Sequence, residues 1–284
     1  MNIFSNECIY EILLFLNPKC LQLCAQINNN FNQLCQLESL WRNQIDDKYN
    51  VLFKKENYYE NCKLYYQLYT LKIKLKLNNE IDSLYKSETL KLRIDKLKQL
   101  PKEIGQLINL KILNLGLGIF DSVKEKTELI LLPPEIGLLH NLDYLNLNYN
   151  HLKHLPQEIR HLINLHTLHL DNNELEEILP EILQLTNLQD LELGHNRLKK
   201  IPSEIGQLIN LTYLLLNDNE LETIPPEIGK LTNLFCLNME NNKLTKLPLE
   251  IGKLPKLGAI LLQNNKLKEI PSSIRHKPGI LLFQ

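Results

Sequence analysis

Histidine and acidic residues recur in this sequence at a spacing that could bring them into contact. His169 and Glu192 are 23 residues apart, and so are His195 and Asp218. An imidazole beside a carboxylate is a pair that both general acid–base catalysis and metal binding use. The two members of a pair can touch only if the fold places residues 23 positions apart side by side. Whether these pairs could function therefore depends on the structural unit in which they lie.

A repeat with this same period supplies that structural unit. The pattern is L-x-x-L-x-L-x-x-N-x-L-x-x-L-P-x-E-I-G-x-L-x-N, as in LDYLNLNYNHLKHLPQEIRHLIN at 142–164. Six consecutive units in register start at Leu142, Leu165, Leu188, Leu211, Leu234 and Leu257. The L-x-x-L-x-L part predicts a short strand with one buried side, because successive strand residues point to opposite faces. A fixed period of this length predicts a solenoid.

The pattern resembles the leucine-rich repeat, and its E-I-G version is similar to the Ras-group and plant intracellular subfamily. The resemblance implies an α/β solenoid, a right-handed horseshoe whose parallel strands line a concave face. It also implies that an asparagine at the turn after each strand hydrogen-bonds neighbouring backbone. This asparagine column is Asn150, Asn173, Asn196, Asn219, Asn242 and Asn265. In the LPxEIGxL half of the repeat, the proline is predicted to end the extended stretch, and a short helical turn is predicted to follow it.

The leucine-rich-repeat domain is predicted at 78–284, with about eight units. A unit at 90–109 precedes the regular ones, and 80–87 is interpreted as a degenerate first half-repeat. At the other end, ILLFQ at 280–284 is predicted to be a last strand, which leaves an apolar edge exposed.

One unit is longer than the others. Leu110 and Leu142 start consecutive units but lie 32 residues apart, nine more than the period. We therefore predict an insertion at 117–131, which places Gly118 in the asparagine column. It is either a tolerated surface loop or a functional projection.

The third, fifth, seventh and eighth positions of each repeat are predicted to point out from the concave sheet. There we expect a partner-binding surface, called the concave face below. Its residues are Tyr144, Asn146, Asn148, Tyr149, His169, Asp171, Asp190, Glu192, His195, Tyr213, Asp218 and Glu240. Phe235 is expected at the edge of this face. Aromatic anchors among polar groups are typical of protein-binding surfaces. The acids favour a partner with a basic patch over nucleic acid, and the alternative is a solvated face without a partner.

Neighbouring strands lie about 4.8 Å apart, which predicts that His169 lies beside Glu192 and His195 beside Asp218. An open face excludes no water and offers no nucleophile, so we expect no catalysis, no metal and no cofactor. The sequence contains no P-loop, G-x-S-x-G, H-E-x-x-H or kinase motif. Cys236 is the one thiol expected on this face, and an inert side chain is the simplest interpretation.

Residues 1–50 differ from the repeats and contain the only tryptophan, Trp41. Apolar residues from Ile9 to Leu16 have helical spacing, Asn17-Pro18 interrupts them, and two more short helices are predicted before residue 50. Three helices of this length form a small core. We therefore expect the head to pack on a partner or on the next segment.

The order of motifs in the head resembles an F-box. The match comprises an E-I-L-x-x-L helix from Glu11 to Leu16, a step at Cys20-Leu21, a helix at 24–31 and Leu40-Trp41. Ser5 and Phe31 stand where the family usually has Pro and Trp. The resemblance implies docking to a Skp-family adaptor of a cullin ligase. The residues it assigns to that contact are Phe4, Ile9, Ile12, Leu13, Leu16, Leu21 and Trp41.

Residues 51–77 are rich in tyrosine and apolar residues. Leu64, Leu68, Leu71 and Leu75 share one helical face, which predicts a connecting helix that caps the first repeat. A second ligand site in the tyrosine cluster is the alternative.

Bulk composition narrows the class of protein. The net charge is −1, with 44% hydrophobic and 23% charged residues, which favours neither nucleic acid nor an anionic membrane as partner. The chain has no apolar run long enough to span a membrane and a poor signal peptide, and its six cysteines are expected to be reduced thiols. We expect a cytoplasmic protein, or one of host cytoplasm or nucleus. The Asn-, Lys- and Ile-rich composition favours a giant virus or a bacterium of amoebae.

Two functions are compatible with these features. The first is a substrate receptor of a cullin-type ubiquitin ligase, in which the head binds the adaptor and the repeats capture a target protein. The second is a scaffold whose repeats bind a small GTPase or a phosphatase, with the head serving as a cap. Neither function makes the chain itself an enzyme.

Overall fold

The computed structural model describes residues 64, 67–68, 70–78, 81–92, 97–116, 127–277 and 281–283. The chain divides into two compact units, Met1–Lys86 and Ser87–Gln284. The predicted head at 1–50 lies outside the described residues, as do positions 117–126 of the predicted insertion. The adaptor-binding residues that thereby lie outside them are Phe4, Ile9, Ile12, Leu13, Leu16, Leu21 and Trp41.

The described part of the first unit contains helix. Residues 70–74 are helical, and helix α1 spans Ile81–Lys86. Of the leucines predicted to share one helical face, Leu68 and Leu71 are fully buried, while Leu64 and Leu75 are half-buried. Where a degenerate half-repeat is predicted at 80–87, the chain forms α1, whereas the regular repeats form 3₁₀ turns.

The second unit contains one parallel sheet, and its strands follow one another in chain order. The strands are β1 Thr89–Lys91, β2 Ile112–Asn114, β3 Tyr144–Asn146, β4 Thr167–His169, β5 Asp190–Glu192, β6 Tyr213–Leu215, β7 Cys236–Asn238, β8 Ala259–Leu261 and β9 Leu281–Phe283. Equal positions of successive repeats are paired, so Leu145 lies opposite Leu168, and Leu168 opposite Leu191. These central leucines are fully buried. The predicted solenoid with a parallel sheet is thus confirmed.

A short helical turn follows the extended segment of each regular repeat. These 3₁₀ turns are Lys102–Gln106, Pro134–Leu138, Gln157–His161, Ile182–Gln184, Ser203–Gln207, Pro226–Lys230 and Leu249–Lys253. Pro156 shows how they start: its backbone is extended, and its carbonyl accepts the N–H of Ile159 at 3.1 Å. Ile159 is fully buried. Successive turns approach closely, since a methyl group on Gly137 would lie 2.6 Å from the carbonyl oxygen of Glu158.

The asparagine column forms the predicted ladder of buried hydrogen bonds. Asn196 is 8% exposed, and its Nδ2 donates to the carbonyls of Leu170, Leu193 and Gly194 at 2.9–3.1 Å. Its Oδ1 accepts the N–H of Leu175 at 3.0 Å. Each asparagine therefore joins its own turn to the preceding repeat, which satisfies backbone groups that the strands leave without partners.

The prediction that Gly118 occupies the asparagine column is wrong, because Thr127 holds that position. The Thr127 N–H donates to the carbonyl of Tyr149, and its hydroxyl donates to Asn150 Oδ1. Leu129 follows in the place of the next buried leucine, and its carbonyl accepts the N–H of His151 at 2.9 Å. The nine extra residues thus precede Thr127, and 127–131 belongs to the regular repeat.

The last described strand completes the array at its C-terminal side. Helix α2, Ser272–Arg275, takes the place of a 3₁₀ turn, and β9 pairs in parallel with β8. Leu281 and Phe283 are 62% and 44% exposed, which agrees with the predicted apolar edge. None of the described helices has the length and apolar character needed to cross a membrane.

Candidate functional site

The register of the sheet sets the layout of the concave face. Residues at the first position of each strand form one row, in which Tyr144, Thr167, Asp190 and Tyr213 are neighbours. Residues at the last position form a second row. The two rows lie on the side of the sheet away from the buried leucines, because residues on either side of a strand's centre point the opposite way. Side chains one repeat apart therefore meet, as predicted.

His169 lies among carboxylates near the middle of the concave face. Its Nδ1 is 3.5 Å from Glu192 Oε2, and its Nε2 is 3.5 Å from Asp190 Oδ2. The Tyr144 hydroxyl lies 3.4 Å from Nδ1, and the two rings meet edge to face at 5.3 Å. The side chains of His169 and Glu192 are only 16% and 15% exposed. This cluster is half removed from solvent although the face is open.

Burial and mutual repulsion alter the protonation of this cluster. Burial, followed by the charge of Glu192, raises the pKa of Asp171 to about 7, against the lowering effects of the Gly194 N–H and of His169. Burial opposes the charged form of His169, but the Asp190 and Glu192 carboxylates outweigh it and raise the pKa of the imidazole. Near neutral pH the cluster therefore holds protons that the same groups in water would release.

The second predicted pair lies nearer the solvent. His195 Nε2 is 3.4 Å from Asp218 Oδ2, and these side chains are 49% and 32% exposed. Both residues have positive φ, of 51° and 54°, like Tyr149 at 59°. This eighth position of the repeat is in the left-handed region, where Asn, Asp and His are enriched and a bulky residue is unusual. The backbone thus fixes where these side chains leave the turn.

Exposed aromatic rings lie on one side of the acidic cluster. Tyr213 is 43% exposed, and Phe235 is 47% exposed. Their rings meet edge to face with centroids 6.2 Å apart. Phe235 is not one of the predicted contact residues, but it was expected at the edge of the face, where it lies at the second position of its repeat.

Two predicted contact residues are not available to a partner. Asn146 is 3% and Asn148 is 6% exposed. Asn146 Oδ1 accepts the N–H of Asn148 at 2.8 Å, and Asn148 Oδ1 accepts the N–H of Asp171 at 2.7 Å. Their amides stabilise local backbone, so both residues, although they lie on the predicted face, offer a partner almost no accessible surface. Asn148 Nδ2 also donates to Glu192 Oε2 at 3.3 Å and so helps to position that carboxylate.

The remaining predicted residues keep accessible surface. Tyr144, Tyr149, His169, Asp171, Asp190, Glu192, Asp218 and Glu240 are half-buried, whereas His195 and Tyr213 are exposed. Cys236 is also half-buried, and burial followed by the charge of Asp190 raises the pKa of its thiol. Its reactive thiolate form is thereby disfavoured. The arrangement offers acids, imidazoles and aromatic rings on an open surface.

Comparison with known proteins agrees with this architecture. Residues 163–221 and 209–267 match a family model described as leucine rich repeat, and residues 141–162 match a second model of that description. The chain carries leucine-rich repeats. No F-box domain is found by the same comparison. No curated protein sequence matches the chain significantly.

Several solved leucine-rich-repeat structures are similar to this chain. A leucine-rich-repeat protein of Leptospira interrogans is 39% identical, with a TM-score of 0.66 over 73% of this chain and 51% of that one. The ectodomain of the Arabidopsis thaliana receptor kinase GASSHO1/SCHENGEN3, in complex with Casparian Strip Integrity Factor 2, is 30% identical. Its TM-score is 0.58, over 68% of this chain and 23% of that one.

A third similar structure also contains a bound partner. The plant peptide hormone receptor RGFR1 in complex with RGF2 is 29% identical, with a TM-score of 0.53 over 69% of this chain and 35% of that one. The present chain therefore spans about half the length of the Leptospira protein and less of the plant receptors. The shared fold is one that supports protein–protein interaction.

Proposed function

We propose that the concave face binds a basic segment of a protein partner. The observation that carries this proposal is the half-buried acidic cluster of Asp171, Asp190 and Glu192, which lies beside the exposed rings of Tyr213 and Phe235. Aromatic rings provide apolar contact area, and the carboxylates provide charge complementarity for Lys or Arg. Two of the similar receptors were determined in complex with named protein or peptide ligands, which supports the same use of the fold.

The balance of charge favours a cation over an anion at this position. Three carboxylates surround one imidazole, and partial burial weakens their hydration. A guanidinium or ammonium group of a partner would offset their repulsion and would donate hydrogen bonds to the desolvated carboxylates. Burial, and after it the negative charge of Glu192, raises the pKa of Asp171.

This face is tested with a random peptide library displayed on phage and selected on the immobilised full chain. Recovered peptides should be enriched in Lys or Arg together with aromatic residues. In fluorescence anisotropy, Glu192→Gln should weaken their binding at least about tenfold, because a hydrogen bond to a charged group contributes about 1.5–3 kcal/mol. Glu204→Gln, in an exposed 3₁₀ turn, is the matched control and should bind normally. Peptides without net positive charge, or equal binding by the two variants, would contradict the proposal.

At a finer level we propose that the chain is a substrate receptor of a cullin-type ubiquitin ligase. The support is the resemblance of residues 1–50 to an F-box, combined with a repeat array suited to capturing a protein. The receptor performs no chemistry itself and acts by raising the effective concentration of its target near the ligase. A chain from a giant virus or an amoebal bacterium, which the composition favours, would use this head to recruit a host ligase.

Co-expression with a eukaryotic Skp-family adaptor, followed by size-exclusion chromatography, tests the finer proposal. A stoichiometric complex is expected, and Leu13→Asp with Leu16→Asp should abolish it while the protein stays folded. If a folded, monodisperse chain forms no complex with the adaptor, the receptor function fails. The scaffold function, with a small GTPase or phosphatase as partner, would then be the one to pursue.

A further inference from the structure

The His169 cluster contains polar atoms for which the described part of the chain provides no hydrogen-bond partner. His169 Nε2 and Asp190 Oδ1 are both shielded from solvent, and neither has a hydrogen-bond partner among the described residues. Nε2 is 3.5 Å from Asp190 Oδ2, close enough for ion pairing but long for a hydrogen bond. Buried polar atoms without a partner are rare and costly. A further group that both atoms could bind would remove that cost.

The donor atoms of this cluster converge as metal ligands do. A ring nitrogen of His169 and one carboxylate oxygen from each of Asp190 and Glu192 all lie within 4.8 Å of one another. Two ligands that each lie about 2.1 Å from a tetrahedral ion are roughly 3.4 Å apart, and the distance from Nε2 to Asp190 Oδ2 is 3.5 Å. Glu192 Oε2 lies 3.5 Å from Nδ1, so the Glu192 carboxylate would have to turn toward Nε2 to complete the set, and its terminal torsion has a broad energy minimum.

From these distances, and against the expectation from the sequence that the open face binds no metal, we infer that His169, Asp190 and Glu192 form a binding site for a divalent transition metal. One imidazole and two carboxylates suit Zn²⁺ and ions of similar preference better than Mg²⁺ or Ca²⁺, which favour oxygen alone. Three protein ligands leave the fourth tetrahedral position open to water or to a group of a partner. The metal would also neutralise the repulsion between two half-buried acids, and it would compete with a Lys or Arg of the proposed partner for them.

Neighbouring side chains would hold these ligands in place. With Nε2 bound to the metal, Nδ1 carries the proton and donates to the Tyr144 hydroxyl, which lies 3.4 Å away. A hydrogen bond of this kind fixes the ring and its tautomer in many metal-bound histidines. Asn148 Nδ2 donates to Glu192 Oε2 at 3.3 Å and restrains that carboxylate. Tyr144 and Asn148 are therefore positioning residues.

The chain provides a matched control for this site. His195 and Asp218 repeat the pairing of His169 with Glu192, with the same separation of one repeat and a contact of 3.4 Å. Among the described residues, only His169, Asp190 and Glu192 form a group of three possible ligands. His195→Gln thus removes an equivalent His–acid pair without removing a predicted ligand.

Titration of the chelator-treated full chain with Co²⁺, followed by absorption and by calorimetry, tests the inference. Co²⁺ distinguishes nitrogen and oxygen ligands from thiolates by its spectrum, so binding to cysteines is recognised separately. We expect one site without thiolate absorption. His169→Gln or Asp190→Asn should weaken it at least about 100-fold and Tyr144→Phe about tenfold, in line with losses on altering supporting contacts. His195→Gln should leave it unchanged.

The outcomes are separable. If wild type lacks a nitrogen–oxygen site, or if His169→Gln and His195→Gln bind Co²⁺ as wild type does, the inference is overturned. Circular dichroism identifies a variant that has lost its fold, and Asp190→Asn then replaces His169→Gln as the decisive comparison. No partner is present in this titration, so its failure leaves the proposed capture of a basic segment intact.

Discussion

Replacing one asparagine of the buried ladder should destabilise the array far more than replacing an exposed asparagine of the preceding repeat. Asn196→Ala removes four hydrogen bonds. The carbonyls of Leu170 and Leu193 keep bonds from Asn173 and Asn219, and that of Gly194 keeps the N–H of Asn172. The Leu175 N–H, in contrast, loses the one acceptor that the structure gives it.

The size of the loss in stability depends on whether a backbone group that loses its bond to Asn196 keeps another partner. A buried donor left without a partner costs about 1–3 kcal/mol, and each lost bond whose acceptor stays satisfied costs about 0.5 kcal/mol or slightly more. We therefore expect Asn196→Ala to lower the free energy of unfolding by about 3 kcal/mol. Asn187→Ala removes a single exposed bond to the Ile163 carbonyl at 2.8 Å and should cost less than about 1 kcal/mol.

Urea unfolding, followed by far-ultraviolet circular dichroism, measures both variants. Asn196→Asp separates the two roles of the side chain, because it keeps an acceptor for Leu175 but directs a carboxylate at three carbonyl oxygens. It should destabilise the array at neutral pH at least as much as alanine does. If Asn196→Ala and Asn187→Ala lower the midpoint equally, the ladder does not carry the stability assigned to it.

Three further predictions use the same unfolding assay. Gly137→Ala should destabilise the array by about 1–3 kcal/mol, because its methyl group would press on the Glu158 carbonyl; Ala substitution at exposed Ser203 is the control. Tyr149→Asn should stabilise it by up to about 1 kcal/mol, because Asn tolerates a φ of 59° better. Because the pKa values of Asp171 and His169 are raised, the folded state binds more protons than the unfolded state. With chelator present, the free energy of unfolding should therefore fall as pH rises through about 7. The fall should be smaller in Asp171→Asn.

The period of the sequence predicts the parts of the fold that depend only on repetition. Equal positions of successive repeats must lie side by side, so the buried leucines, the asparagine ladder and the contact of His169 with Glu192 all follow from the period alone. Counting residues along the chain does not assign repeat positions correctly where an insertion interrupts the period. Counting forward from Leu110 assigns the asparagine position of this repeat to Gly118, whereas counting backward from Asn150 assigns it to Thr127. The hydrogen bond from Thr127 to Asn150 supports the second assignment.

Local hydrogen bonding limits what an asparagine on the concave face can offer a partner. Asn146 Oδ1 accepts the N–H of Asn148, two residues further on, at 2.8 Å, and Asn238 makes the equivalent bond to the N–H of Glu240 at 3.0 Å. Asparagine competes for nearby backbone donors more effectively than longer side chains do. Asn146 is nevertheless buried, whereas Asn238 is half-buried, as His169 and Glu192 are. The repeat therefore predicts on which side of the sheet a residue lies, but the exposure of that residue also depends on its neighbours.

The His169 cluster depends on diagonal contacts between the two rows of the concave face. The spacing of one repeat predicts contacts within a row but not these diagonal ones. His169 contacts Glu192 within the row formed by the last positions of the strands. Its contacts with Tyr144 and Asp190 are diagonal, because those residues belong to the row formed by the first positions. Diagonal neighbours on a sheet are within reach of long and aromatic side chains. These contacts convert a simple His–acid pair into a cluster with three possible ligands, whereas His195 and Asp218 lack a third among the described residues. Two pairs with the same spacing in sequence thus differ in the groups around them, and among the described residues only His169 with Glu192 has the third possible ligand that the proposed metal site needs.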